Sequence, residues 1–401
     1  MHMHMHMHMH MRWHSAKQRL LIFCFMFLTK EIRAMKAPFF SRLYCKAGLA
    51  AIAACSLQSI HAQTTIKDMA GRSVTVPAKV ERIVGLGPGA LRLISYLQAT
   101  DKVVGVEDID KGSPVGRPYA LANPELAKLP RASKGGPAEI NKKPDLEALL
   151  SVNPQVIFVT YMQPAVADDV QKTLGVPVVV LSYGDGLGTF NKTLQDSLTL
   201  AGKIVQREQR AASVNSFIQQ AQQDLQKRVA SIKPEQRLSA YVGGIGQRGA
   251  HGIESTEQNY APFDWAGVNN LSKQFKSDTG TYLKLDKEAL LKLNPPVIFV
   301  DSGGWDVVRA DYAKNPQYYQ ALQAFQKGQT YRLHPFNMYT TNIDTVIAGA
   351  YAVGKAMYPK QFADVDVAKK ADAIYTFMLG KPVYAQMQAN HGALGEKISF
   401  K

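Results

Sequence analysis

One fifteen-residue pattern occurs twice in this chain. Residues 145–159 read DLEALLSVNPQVIFV and residues 286–300 read DKEALLKLNPPVIFV, with eleven identical positions and a spacing of 141 residues. In each copy an Asp stands where a helix N-cap belongs, apolar residues follow at helical spacing, and Asn-Pro ends the helix. The run Val-Ile-Phe-Val then predicts a strand that is apolar on both faces, as in a parallel sheet covered by helices. The duplication therefore predicts a two-lobed α/β protein.

A long helix is predicted between the two copies. No Gly or Pro interrupts residues 207–232, and apolar residues recur there at intervals of three and four. At about 1.5 Å per residue this segment spans roughly 39 Å, which is enough to run along two lobes. We therefore predict a presequence at 1–62, a first α/β lobe at 63–206, a connecting helix at 207–233 and a second α/β lobe at 234–401. Each lobe should hold a mostly parallel sheet, with the ligand cleft between the lobes.

The first 62 residues differ in composition from the rest. A basic segment after Met35, the apolar run 47–54 and the small residue Ala62 predict a signal peptide at 35–62 with cleavage before Gln63. A lipid anchor at Cys55 is the alternative, and both place the protein in the periplasm. The three Cys all precede Gln63, so a chain that begins there has no disulfide, thiolate metal site or Cys nucleophile.

Charge narrows the choice of partners. The formal net charge is +15, and about half of it lies in the first 62 residues. The remaining moderate basicity suits an anionic ligand or a membrane surface. No block of Lys and Arg is typical of a nucleic-acid interface, so nucleic acid is not predicted as a partner.

Candidate ligand-binding residues follow the predicted strands. Ligands of open α/β sheets bind at the carboxyl ends of the strands, and this rule selects Tyr161, Tyr183, Tyr241, Arg248, His251, Trp305 and Tyr339. Phenol rings can cover a flat chelate and ligate ferric iron, and a guanidinium can balance its negative charge. The alternative is that the tyrosines pack in the core and that the polar residues of the Gly-rich loop 243–254 cap one another.

A complete metal cage made by the protein is not predicted. Beyond the presequence the chain retains only His251, His334 and His391. We therefore expect the metal to arrive already chelated. His251 is a candidate for direct contact with it, and no resident cofactor is predicted.

The chain from Thr64 to Lys401 resembles the periplasmic substrate-binding proteins of ABC importers for ferric siderophores, haem and cobalamin. Besides the repeat and the long helix, the stretches 82–108, 116–126 and 241–257 are similar to a metal-uptake branch of that family. The resemblance implies a monomeric, non-enzymatic receptor that delivers an iron chelate to an ABC permease and its ATPase. Haem, a corrinoid and a nickel or other metal chelate are the alternative ligands.

The resemblance also assigns roles to individual residues. In this family a Glu on each lobe docks into the permease, and these positions match Glu147 and Glu288. The alternative is a local role, since a first-turn carboxylate favours the helix dipole. Tyr339 resembles the second-lobe Tyr with which siderophore receptors reach iron, whereas the His that accompanies it has no match here.

A two-lobed enzyme is the remaining alternative. Residues 85–90 (GLGPGA), with Glu107 about twenty positions on, resemble a dinucleotide-binding fingerprint. Pro88 removes a backbone donor where the pyrophosphate would bind, which disfavours a NAD-dependent enzyme. No nucleophile-elbow or zinc-protease motif supports another exported enzyme.

Overall fold

The structure of the chain is a computed structural model that describes residues 63–278 and 281–400. The predicted presequence 1–62, with its signal segment 35–62 and the Cys55 alternative, lies outside the described residues. Among the helices that are described, none has the length and apolar character needed to cross a bilayer.

The strands divide into two sets along the chain. Before residue 207 they are β1 (Gln63–Lys67), β2 (Ser73–Pro77), β3 (Ile83–Leu86), β4 (Val106–Glu107), β5 (Arg131–Ser133), β6 (Val156–Thr160) and β7 (Val178–Leu181). After residue 233 they are β8 (Ser239–Gly243), β9 (Ser255–Glu257), β10 (Asn269–Asn270), β11 (Tyr282–Lys284), β12 (Ile298–Asp301) and β13 (Thr330–Leu333).

The helices cover the faces of the sheets. In the first half they are α1 (Ala90–Tyr96), α2 (Pro118–Ala122), α3 (Leu146–Val152), α4 (Pro164–Leu174) and α5 (Lys192–Ile204), followed by the long α6 (Glu208–Val229). In the second half they are α7 (Ala261–Ala266), α8 (Lys287–Leu293), α9 (Trp305–Lys314), α10 (Pro316–Gln320), α11 (Gln323–Gln326), α12 (Ile343–Met357), α13 (Val367–Leu379) and α14 (Tyr384–His391).

Each lobe is built on a parallel sheet. The first has the strand order β3-β6-β7 and the second has the order β10-β8-β12-β13. A two-stranded antiparallel hairpin, β1-β2, opens the first lobe. The predicted two-lobed α/β fold with parallel sheets is therefore confirmed, while the residue limits 63–206, 207–233 and 234–401 stay predictions.

The sequence repeat supplies an interior strand of each sheet. β6 and β12 each lie between two parallel neighbours and are fully buried. The side chains of Asp145 and Asp286 cap the preceding helices by accepting hydrogen bonds from the N–H groups of Ala148 (3.0 Å) and Ala289 (2.7 Å). Both helices end at an Asn in the left-handed region, which redirects the chain into the strand.

The predicted connecting helix contacts both lobes. It is α6, and its 22 residues span about 33 Å, slightly less than predicted. Asn215 donates to the carbonyl of Gln195 in the first lobe, at 3.1 Å. Arg228 pairs with Asp364 in the second lobe at 2.6 Å. The largest cluster of buried apolar residues includes α6 and extends into both lobes, so the helix is part of the core as well as a connection.

Candidate ligand-binding cleft

The candidate cleft lies at the carboxyl ends of the parallel strands. In the first lobe, β3 leads into Gly87–Gly89 and β6 leads into Tyr161. In the second lobe, β13 leads into the loop 334–342, which carries Tyr339 and Thr340. Side chains from these loops meet across the lobes. They do so at the carboxyl-terminal edge of the sheets, where ligands of open α/β sheets bind.

Hydroxyl groups form the contacts between the two lobes at this edge. The hydroxyls of Tyr161 and Thr340 share a hydrogen bond of 2.9 Å. The hydroxyl of Tyr339 donates to Oε1 of Glu107 at 2.9 Å and accepts from the N–H of Gly136 at 3.1 Å. These hydroxyls can donate to oxygen atoms of a ligand or accept from its polar hydrogens.

The same residues hold an unfavourable backbone conformation. Tyr161, Tyr339 and Thr340 have φ values of 54°, 52° and 63°. The left-handed region is costly for side chains other than Gly and Asn, and most of all for a β-branched residue such as Thr. Such strain persists only where the surroundings enforce it, and it concentrates at functional sites. The clustering of these residues therefore supports a binding role for the two loops.

Glycine is required where the first lobe approaches Thr340. Gly89 has a φ of 80°, and a Cβ at this position would collide with the hydroxyl of Tyr183 and the methyl group of Thr340. The hydroxyl of Tyr183 donates to the carbonyl of Gly89 at 2.9 Å. The close approach of the two lobes at this point thus depends on a residue without a side chain.

A buried arginine of the first lobe holds the loop of the second lobe. Arg92 on α1 is 1% exposed. Its Nε donates to Oδ1 of Asn342 at 2.7 Å. Its two terminal nitrogens donate to the carbonyls of Met338 (2.8 Å) and Tyr339 (3.1 Å). A buried guanidinium is tolerated only when its donors are satisfied, so Arg92 is a positioning residue for this loop.

Glu107 is the titratable group at the centre of the contact. It ends β4 and is 4% exposed. Burial raises its pKa to about 7, although hydrogen bonds from the N–H of Gly87 and the hydroxyl of Tyr339 favour the ionised form. The carboxyl therefore changes charge near neutral pH, beside the candidate ligand position.

Cavities of different sizes surround the contact. A partly open cavity of about 30 Å³ lies beside Glu107, Thr160 and Tyr339, with room for about two water molecules. An open cavity of about 460 Å³ adjoins Tyr161 and Tyr183. A third, of about 1010 Å³, lies between segment 185–189 of the first lobe and second-lobe residues that include Phe336, Asn337 and Thr341.

Comparison with known proteins identifies the family. The sequence profile of the periplasmic binding protein family matches residues 83–335, more than half of the chain. The chain belongs to the periplasmic binding protein family. The predicted family is thereby confirmed, and this membership agrees with the predicted export to the periplasm.

The binding protein is similar to several solute receptors. It is 26% identical over 347 residues to the molybdate-binding protein MolA of Haemophilus influenzae, covering 80% of this chain and 93% of MolA. The solved structure of MolA with molybdate matches it with a TM-score of 0.59 at 23% identity, over 80% of this chain and 98% of that chain. A periplasmic solute-binding protein of Veillonella parvula matches with a TM-score of 0.63 at 17% identity, over 82% and 96%.

A nickel-containing structure shares the fold as well. Helicobacter pylori CeuE with Ni(II) bound matches with a TM-score of 0.52 at 16% identity, over 79% of this chain and 96% of that chain. The homologues of this chain are solute-binding proteins of ABC importers and not enzymes. The predicted non-enzymatic function is therefore confirmed.

Tyr241 and Trp305 do not lie at the contact between the lobes. Tyr241 was expected after a strand but lies within β8, where its side chain is fully buried and its hydroxyl donates to the carbonyl of Ile253 at 2.7 Å. Trp305 begins α9 and stacks on Phe400, with ring centroids 5.6 Å apart, beneath the guanidinium of Arg332. Both residues pack within the second lobe of the binding protein.

The remaining predicted residues occupy two environments. Tyr183 is buried behind Gly89, and burial raises its pKa to about 12. Arg248 is exposed in the loop after β8 and has a φ of 54°. The Nε2 of His251 lies 2.8 Å from the carbonyl of Gln247 in the same loop. The roles of Arg248 and His251 toward a ligand stay predictions.

In the part of the chain that the structure describes, no group of three or more His, Cys, Asp or Glu is placed to hold a metal ion. The hydroxyl of Tyr339 is engaged by Glu107. Direct contact of Tyr339 or His251 with a chelated metal stays a prediction.

Sequence reasoning missed Arg92 and Thr340 and gave Glu107 a different role. Arg92 is the lone charged residue in the otherwise apolar helix ALRLISY, and a single Arg in such a helix is a signal of a buried polar contact. Glu107 entered only as the acidic end of a dinucleotide-like pattern. In the structure its carboxylate accepts from the N–H of Gly87, at 3.2 Å.

The predicted docking residues lie on equivalent helices. Glu147 and Glu288 are exposed in the first turns of α3 and α8. In this position both carboxylates are accessible to a partner protein. They also interact favourably with the positive N-terminal ends of the helix dipoles. Docking to a permease stays a prediction.

Proposed function

We propose that this protein captures a small molybdate-type oxyanion between its lobes and delivers it to an ABC importer. The proposal departs from the iron chelate predicted from the sequence. It is supported by the similarity to MolA along most of both chains and by the chemistry of the cleft.

The observation that carries the proposal is the convergence of hydroxyl groups at the contact between the lobes. Tyr161 and Thr340 share one hydrogen bond across the lobes, and Tyr339 forms a second with Glu107. All three residues have positive φ values. A cavity of about 30 Å³ lies beside Tyr339 and Glu107. A compact oxyanion can accept hydrogen bonds from these groups after shifts of the loops.

An iron chelate is the second candidate ligand. The larger cavity of about 1010 Å³ between the lobes has the size of sites for small organic ligands. Its lining includes Asp185, Glu257 and Asp264, which favours a chelate with a positively charged or hydrogen-bond-donating face. Haem, corrinoid and nickel chelates would use the same space.

Isothermal titration of the purified protein separates these candidates. Molybdate and tungstate should bind with one site per chain, with sulfate and ferric siderophores as competitors. An absorption spectrum and metal analysis of protein isolated from iron-limited cells provide an independent check. A charge-transfer or Soret band together with no response to molybdate would contradict the oxyanion proposal and favour the chelate.

The proposal assigns the remaining partners and the location. The receptor would act as a monomer in the periplasm, without a resident cofactor, and would deliver its ligand to a permease and its ATPase. A lipid anchor at Cys55 would tether it to the membrane without changing the cleft.

A further inference from the structure

Glu107 is a carboxyl group placed where an anion would bind. It is nearly fully buried, lines the cavity of about 30 Å³, and accepts a hydrogen bond across the lobe boundary from the hydroxyl of Tyr339. An ionised carboxylate at this position would repel an oxyanion in the cleft. A protonated carboxyl group would donate a hydrogen bond to it.

The hydrogen-bond donors to Glu107 are neutral. Oε1 accepts from the N–H of Gly87 at 3.2 Å and from the hydroxyl of Tyr339 at 2.9 Å. Neutral donors stabilise a buried carboxylate less than an arginine partner does. The carboxyl group can therefore gain or lose its proton without breaking an ion pair.

The charged neighbours of Glu107 are largely balanced by partners of their own. Asp108 pairs with Arg131 and Asp110 pairs with Arg117, each at 2.8 Å. From the segment 133–144 the neighbouring groups are Lys134, which pairs with Glu139 at 3.7 Å, and Lys142, which lines the same cavity. From the second lobe the neighbouring titratable group is Tyr339. The nearby carboxylates raise the pKa of Glu107, in addition to the larger effect of burial.

We propose that Glu107 takes up one proton when the receptor binds its anionic ligand. This inference rests on the proposed function. A bound anion favours the neutral carboxyl group, which donates its proton to a ligand oxygen. Ligand capture is then favoured in acid, and loss of the proton promotes release.

The pKa of Glu107 in the ligand-free protein sets the pH range in which affinity depends on pH. Above about pH 7, Glu107 is ionised in the free protein and must take up one proton when the ligand binds. The dissociation constant should therefore rise about tenfold for each pH unit above that value. Below that pH the carboxyl group is already neutral, so the affinity should be nearly constant. A Gln at this position imitates the neutral group and should remove the slope.

Titration calorimetry with sodium molybdate, from about pH 6 to about pH 8.5, tests the inference. The wild type should lose about tenfold in affinity per pH unit above neutrality and should take up about one proton, measured in buffers of different ionisation enthalpy. Glu107→Gln should bind with an affinity that is independent of pH. Glu139→Gln is the matched control, because this carboxylate lines the same cavity but is partly exposed; it should retain the wild-type slope.

The outcomes separate this inference from the proposed function. Binding of molybdate with no pH dependence, or the same slope in Glu107→Gln as in the wild type, would overturn the proton coupling alone. If neither molybdate nor tungstate binds at any pH, the proposed function fails and the inference fails with it.

Discussion

The hydroxyl groups of Tyr161 and Thr340 lie 2.9 Å apart, although 179 residues separate them in the chain. Each residue follows the end of a strand, β6 in the first lobe and β13 in the second. Both have positive φ values. This hydrogen bond links the binding loops of the two lobes, and its atoms are available to a ligand that enters between them.

Removing these hydroxyls should weaken ligand binding more than it weakens the fold. We expect Tyr161→Phe and Thr340→Val each to cost about 1.5–3 kcal/mol of binding free energy, because each loses one hydrogen bond to a charged ligand oxygen. A double-mutant cycle by calorimetry with molybdate should show coupling between the two sites. Tyr331→Phe is the control, because its hydroxyl bonds to Gln329, two residues away in the chain. Wild-type affinity in the double variant would exclude both hydroxyls from the site.

Arg92 should be required for the stability of the contact between the lobes. Arg92→Met leaves Oδ1 of Asn342 and two backbone carbonyls without their donor. We expect the free energy of unfolding to fall by about 2–4 kcal/mol, measured in urea. The exposed Arg248 provides the control, since Arg248→Met should change stability by no more than about 0.5 kcal/mol. Equal stability of the two variants would show that the loop does not depend on Arg92.

Reversing the charge of the two helix-terminal carboxylates should separate capture from transport. Glu147→Lys and Glu288→Lys should leave ligand affinity unchanged, because both residues are exposed on α3 and α8. Each should reduce uptake in cells that depend on this receptor, and the double variant should reduce it further. Glu208→Lys, an exposed first-turn Glu on α6, tests for a general effect of charge. Normal uptake by the double variant would leave these residues with only a local role.

His334 should make stability fall in acid. Burial lowers its pKa to about 4, with smaller contributions from His391 and Arg332. A His with a lowered pKa stabilises the fold above its unfolded value of about 6.5, and this contribution is lost as the pH falls toward 4. Between about pH 7 and pH 5 the wild type should lose about 1–2 kcal/mol more than His334→Gln, whose amide can still donate to the carbonyl of Gly392.

Denaturant unfolding at both pH values measures this difference. His251→Gln, in the loop after β8, controls for the substitution itself. Parallel pH profiles for the wild type and His334→Gln would show that the buried imidazole does not contribute to acid sensitivity.

Local patterns in the sequence were sufficient to predict the architecture. Short-range preferences set each part of the repeat: the Asp cap, the helical spacing of apolar residues, the Asn-Pro stop and the strand that is apolar on both faces. The repetition of these parts therefore predicted the two parallel sheets. The uninterrupted helical segment between the copies likewise predicted α6, within a few residues of its observed ends. The carboxyl ends of the strands also selected Tyr161 and Tyr339, which lie at the contact between the lobes.

The site itself was decided by tertiary structure. Arg92 and Asn342 are 250 positions apart, and no local pattern relates a buried guanidinium to its acceptors on another lobe. Tyr241 shows the same limit, because its place near the end of a strand did not reveal that its side chain is buried within the second lobe. The sequence by itself thus determined two α/β lobes and a connecting helix, since these depend on local propensity and periodicity. Only the packing of one lobe against the other determined which hydroxyls meet, why Gly89 is required, and why Glu107 titrates near neutral pH.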